Sequence, residues 1–209
     1  MNKINYQKIL DEIIEENSKN GVVPKLLLHA CCAPCSSYCL EYLSQYFEVT
    51  VFYFNPNISL KEEYEYRLKE EKRLISLMDF KNPVKIIEST YNPNDFYTAV
   101  KGLEKEPEGG KRCEKCFRLR LEASAKEAET LGCAYFATTL TISPLKNAQL
   151  INTIGEELGQ QYGVKWLFSD FKKREGYKRS IILSKKYDLY RQNYCGCIFS
   201  KKAVNNTPK

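Results

Sequence analysis

Seven of the nine cysteines in this chain fall into three groups: Cys31-Cys32-Ala33-Pro34-Cys35, Cys113-Glu114-Lys115-Cys116 and Cys195-Gly196-Cys197. Thiolate is the soft ligand that holds zinc and iron–sulfur clusters, and it is also the reacting group of redox dithiols. One tetrahedral metal takes four ligands. Seven thiols exceed that, so the pattern points to a metal centre with separate redox thiols, and to a redox enzyme.

The groups differ in what their spacing permits. Cys113 and Cys116 stand at an expected helix start, where both sulfurs turn to one side. Alone they are half of a zinc knuckle. Adjacent cysteines such as Cys31 and Cys32 are unusual for structural zinc, which favours ligands two to four residues apart. A loop can aim both at a larger object, so iron–sulfur is favoured, with zinc the alternative. The single glycine between Cys195 and Cys197 lets the chain close into a small strained disulfide, which is readily reduced; two further metal ligands are the other reading. Cys35 completes Cys-x-x-Cys with Cys32, binds a second metal, or sits idle. Cys39 and Cys133 read as small core residues.

Other side chains are weighed the same way. His29, the one histidine, ends an expected buried strand and is either a core residue or outer support for the metal ligands. Asp170 follows the fifth expected strand and is a candidate catalytic carboxylate or a helix cap. Ser143, Lys146 and Asn147 are candidates for ligand contact at a helix start. Tyr64 and Arg67 share a helix face and read by default as solvated packing. Lys172-Lys173-Arg174, Lys178-Arg179 and Lys185-Lys186 are interleaved with Phe171, Tyr177 and Tyr187, and Tyr190, Arg191 and Tyr194 follow. Cations for phosphates beside rings for bases are what an RNA surface uses. The net charge of +6 is compatible with such a polyanionic partner.

The elements that must carry these groups follow from pattern. The 209 residues, 43% hydrophobic, suit one α/β domain with a sizeable core. No apolar run is long enough to span a membrane, and the start lacks the apolar stretch of a secretory signal, so a cytoplasmic location is expected. Tyr6, Ile9, Leu10, Ile13 and Ile14 mark an opening helix, taken as an appendage over residues 1–24. Strands are expected at 25–29, 48–55, 84–89, 134–138 and 164–168. Helices are expected from Pro34 to about Tyr46, from a Ser59/Glu62 capping box to about Met78, from Asn92-Pro93, from about Glu114 to Leu131, and from a Ser143 cap to Gly163. Glu104–Arg112, with Pro107, Gly109 and Gly110, reads as the most mobile loop. The catalytic unit is placed at 25–201, with a basic helical C-terminal segment and a flexible tail at 202–209. Alternating strands and helices predict a parallel sheet of about five strands covered on both faces. Ligands gather at the carboxyl edge of such sheets, where the Cys31 loop lies.

Together these segments resemble the QueH-type epoxyqueuosine reductases. The resemblance rests on His29-Ala30-Cys31-Cys32-Ala33-Pro34-Cys35, Arg112-Cys113-Glu114-Lys115-Cys116 and Tyr190-Arg191-Gln192-Asn193-Tyr194-Cys195-Gly196-Cys197. Thr138–Pro144 and Lys172–Tyr177 fit as well, and the match runs from about Lys25 to Lys201. It implies cobalamin-independent reduction of the epoxide of epoxyqueuosine in tRNA to an alkene, with an external electron donor. It also implies a [4Fe-4S] cluster on Cys31, Cys32, Cys113 and Cys116 and a redox-active Cys195–Cys197 pair, and it leaves open a second iron beside Cys35. The fold it implies is nucleotide α-hydrolase-like, that is, Rossmann-like. Enzymes of that fold that use ATP carry a Gly-rich phosphate loop, and His29–Ser36 contains no glycine. An ATP-dependent tRNA sulfur transferase is therefore a minor alternative, beside a zinc-stabilised RNA-binding module.

Overall fold

A computed structural model describes residues 4–205, with side-chain surroundings up to Lys201. The remainder of the expected tail, 206–209, lies outside the described residues. Five parallel strands, β1 (Lys25–His29), β2 (Glu48–Tyr53), β3 (Val84–Glu88), β4 (Tyr135–Thr138) and β5 (Lys165–Trp166), form one sheet in the order β3-β2-β1-β4-β5. Strand order therefore reverses between β1 and β4, where His29 pairs in register with Thr138. The loop leaving β1 begins with Ala30, Cys31 and Cys32. That is the crevice in which open α/β sheets bind ligands.

Among the described residues, eight α-helices surround the sheet: α1 (Tyr6–Lys19), α2 (Ala33–Leu43), α3 (Lys61–Leu77), α4 (Pro93–Ala99), α5 (Lys111–Thr130), α6 (Ala148–Tyr162), α7 (Gly176–Lys186) and α8 (Ile198–Asn205). Alternate residues of β1 face opposite sides. Leu27 joins Phe136 under α5 and α6, while Leu26 and Leu28 join Leu10, Leu40 and Val51 under α1 and α2. Thus α1, set apart from the catalytic unit in the sequence reading, buries Leu10 and Ile14 in the main core. α8 carries helix to Asn205, into the segment expected as tail.

Several expected boundaries move. α2 stops at Leu43 rather than about Tyr46. The Ser59/Glu62 capping box does not form: α3 starts at Lys61 without a side-chain cap, and the Ser59 hydroxyl accepts the Ile198 N–H at 2.8 Å. Ser143 does not start α6 either. A 3-10 helix over Thr139–Ile142 precedes it, and Asn147 is the cap, accepting from Leu150 N–H at 3.1 Å. Ser143–Asn147 is left as a loop. At the start of α7, a Cβ on Gly176 would lie 2.0 Å from the Phe171 carbonyl oxygen and 2.3 Å from the Tyr38 ring, so only glycine lets α7 pack this closely on α2.

Candidate metal and redox site

The β1 loop is held from both sides. Ala30 N–H donates to Phe52 O at 3.1 Å, and Asn55 Nδ2 donates to Ala30 O at 2.8 Å. Cys32 then caps α2, with Pro34 in the first turn as expected, and this turn brings Cys35 back toward the loop. The sulfurs of Cys31, Cys32 and Cys35 all lie within 4.8 Å of one another. Hydrogen bonds from Cys32 and Cys35, then the nearby Arg120 and Lys146 cations, hold the Cys31 thiol well below its ordinary range. Its neighbours bear the converse: the hydrogen bond to Cys31 pushes Cys32 up to about 12. The arrangement is one thiolate solvated by two thiols, a preformed soft ligand set.

Cys113 and Cys116 occupy the first turns of α5, and Cys113 packs against the same core cluster as Cys31 and Cys32. Gly109 N–H donates to Cys113 Sγ at 3.2 Å. Arg112 is buried and donates to the carbonyls of Leu103, Glu104 and Glu106. The Glu104–Arg112 loop, mobile by composition, is thus tied to α5. One turn beyond Cys116, the fully buried Arg120 places Nη1 3.8 Å from Cys116 Sγ and Nε 3.3 Å from His29 Nε2, a nitrogen that also lies 3.2 Å from Phe54 O. His29 Nδ1 lies 2.8 Å from Thr138 Oγ1. Burial, then the Arg120 charge, pushes His29 down to about 3, so the ring is neutral. His29 reaches the thiols through Arg120.

The Cys195–Cys197 loop is clamped onto the start of α3. Arg67 Nη1 donates to Cys195 O at 3.4 Å, its guanidinium covers the Tyr194 ring at 5.3 Å, and Ser59 N–H donates to Gly196 O at 3.2 Å. Arg67 itself is buried and paired with Glu63, so its expected solvated role is corrected: the residue is a strut for this loop. Gly196 has φ +111°, and a Cβ there would lie 3.0 Å from Ile58. Both thiols are unlinked. Burial pushes Cys197 up to about 11, keeping it protonated at neutral pH.

Two adjoining cavities collect these groups. One, of about 460 Å³, is lined by Cys31, Cys32, Cys35 and Cys195; the other, of about 90 Å³, by Cys113, Cys116, Cys195 and Cys197. Cys195 faces both. Of the remaining candidates, Ser143, Tyr177 and Arg191 line the larger cavity and Asn147 the smaller, while Lys146 lines both. Burial works against the Lys146 charge, but the surrounding sulfurs, Cys31 foremost in favouring thiolate, outweigh it and hold the ammonium.

Asp170, Lys173 and Arg174 lie elsewhere, in a cavity of about 780 Å³ against α1, which Lys146 and Asn147 also reach. There Asp170 accepts from Lys172 at 2.6 Å, and Arg174 pairs with Asp11 at 2.5 Å. Tyr190 is taken up by Glu63 and by an edge-to-face contact with Tyr66, leaving Tyr177 and Tyr194 as the rings of the thiol cavity. Sequence reasoning missed Arg120, Glu71 and Glu108. Glu108 accepts from Ser200 Oγ at 3.1 Å, which in turn accepts from Cys195 N–H. Only its place four residues after Glu104, in the loop before Cys113, hinted at a role.

With this geometry in view, comparison with known proteins is specific. The family model described as epoxyqueuosine reductase QueH matches residues 26–203. The chain is 48% identical over 204 residues to the epoxyqueuosine reductase QueH of Staphylococcus epidermidis, across 95% of this chain and 85% of that one. It is 46% identical over 202 residues to that of Streptococcus pyogenes serotype M1, covering 96% and 79%. To that of Thermotoga maritima it is 41% identical over 179 residues, covering 84% and 89%.

Proposed function

Because this chain belongs to the epoxyqueuosine reductase QueH family of oxidoreductases, we propose that it reduces the epoxide of epoxyqueuosine in tRNA to the alkene of queuosine at the β1–β4 crevice. The observation that carries the reading is the convergence of three thiol groups, distant in sequence, on two cavities that share Cys195.

The reaction consumes two electrons and two protons and releases the epoxide oxygen as water. Oxidation of the Cys195–Cys197 dithiol to a disulfide supplies that number of each, and an external donor then restores the dithiol. Cys197 brings its proton to neutral pH because burial holds its thiol up. The sulfurs lining two adjoining cavities, with Cys31 already favouring thiolate, fit an iron–sulfur centre that Cys31, Cys32, Cys113 and Cys116 would hold. Such a centre supplies single-electron transfer and a Lewis-acidic iron. Lys146, at the shared mouth, anchors an anionic group of the tRNA, and Tyr177 with Arg191 flanks the entering base.

The compactness of Cys31, Cys32 and Cys35 favours a second reading for part of the site. Two sulfurs on one tetrahedral metal lie about 3.8 Å apart, and Cys31 and Cys32 are separated by 3.8 Å. That trio suits a lone iron or zinc. Analysis of protein purified without oxygen separates the readings. The iron–sulfur reading expects brown protein with iron and acid-labile sulfide in nearly equal amounts. Stoichiometric zinc without sulfide would overturn it.

A further inference from the structure

Arg120 is a fully buried cation. Its guanidinium stays charged at any pH the fold survives. Among the described residues no carboxylate lies within ion-pair distance of it, whereas Arg67, another buried arginine at the site, has Glu63 at 2.6 Å, and the buried Arg112 has three carbonyls. Its Nε points to a neutral histidine, which fixes its direction without cancelling its charge. Nη1 reaches Cys116 Sγ, and the buried Nη2 has no partner at all. Arg120 also forms part of the wall of the larger thiol cavity. A buried charge left unbalanced is strongly destabilising; burial holds the Cys116 thiol up to about 12, so this sulfur supplies the balancing anion once a metal binds it as thiolate. Burial opposes the charged guanidinium, and Cys116 and Cys31 outweigh it.

We propose that Arg120 is a positioning residue that acts through the cysteines: its fixed charge, set between Cys116 and Cys31, compensates the metal–thiolate centre and raises the potential at which that centre accepts an electron. The inference rests on the metal reading above. Adding an electron makes an anionic centre more negative, and a cation held nearby in a low dielectric stabilises the reduced form more than the oxidised one. The (i, i+4) spacing from Cys116 puts the charge directly beneath a ligand. His29 aims it, and Thr138 anchors His29 from the neighbouring strand at the crevice.

The test compares wild type with Arg120→Gln and Arg120→Lys, each loaded anaerobically, by iron and sulfide content, thermal unfolding and a redox titration followed by electron paramagnetic resonance. Arg120→Gln should keep its iron and show a lower midpoint, with roughly tenfold less reduced centre relative to oxidised at the wild-type midpoint. Arg120→Lys should recover much of that shift. Iron lost from Arg120→Gln but kept by Arg120→Lys also supports a requirement for charge. An unshifted potential in Arg120→Gln, equal shifts in both variants, or iron lost from both overturns the proposal. Wild type without redox-active iron would sink the metal reading itself, and is recognised before any variant is made.

Discussion

Glu71 shows how a single side chain can be set against its surroundings. It is fully buried on α3, neither carboxyl oxygen has a well-formed partner, and burial drives it up to about 8, with the Ser36 hydroxyl offsetting only part. A carboxyl whose folded pKa is raised contributes fully below its unfolded value near 4.5, and that stability is lost as pH rises toward 8. Glu71→Gln should therefore be more stable than wild type at pH 8, by roughly 4 kcal/mol at most, with the gain shrinking to little at pH 4. Urea unfolding at the two pH values measures it, and a pH-independent difference would contradict the assignment. Cys197→Ser probes the other end of the site. It should keep iron and sulfide but fail to convert epoxyqueuosine-tRNA over repeated turnovers; loss of iron instead would make Cys197 a ligand. The cysteines were legible in the sequence because residue type and spacing alone announce soft-ligand chemistry. Arg67, Glu71 and Arg120 were not, because a charged residue on an amphipathic helix is expected outward, and only the completed packing turns these three inward.

The elements explain why the Cys195–Cys197 loop keeps its shape. Ser59, Glu63, Arg67 and Glu70 of the α3 region take up the carbonyl of Cys195, the backbone of Gly196, Ile198 and Tyr190, and the Tyr190 hydroxyl. A capping box at Ser59 was a sound local expectation, but the same hydroxyl is committed to a partner 139 residues away, and a tertiary bond of that kind leaves no local signature. Likewise α6 starts late, which frees Ser143–Asn147 to line the cavities. Gly196→Ala tests the loop. A side chain at φ +111° is strained by about 1–3 kcal/mol, with Ile58 already at 3.0 Å. The variant should fold, show faster amide exchange over 194–198 and lose most of its turnover. Wild-type exchange together with wild-type turnover would mean the loop geometry does not matter.

At the scale of the whole molecule, the alternation of strands and helices foretold a parallel sheet with the Cys31 loop near its reversal point, but not the full strand order β3-β2-β1-β4-β5. Which crossovers pass which face is decided by packing over long separations, and so is the meeting of three thiol groups. The basic surface also changes in that light. Several of its cations already have carboxylate partners, Arg179 with Glu41 and Lys178 with Glu175, while Lys173 is exposed beside the cavity against α1. Neutralising Lys173 and Arg174 together should weaken tRNA binding and reduce the slope of log affinity against log salt by about 1–2. An unchanged slope would leave them as a solvated face. The central claim is that this fold reduces the epoxide in tRNA with electrons from its own dithiol. A single turnover tests it: enzyme reduced and then freed of external donor is mixed with epoxyqueuosine-tRNA, and both products are counted. The account predicts about one queuosine per chain, matched by one Cys195–Cys197 disulfide in mapped peptides. Queuosine formed while both thiols stay reduced would contradict it, as would a disulfide formed without queuosine.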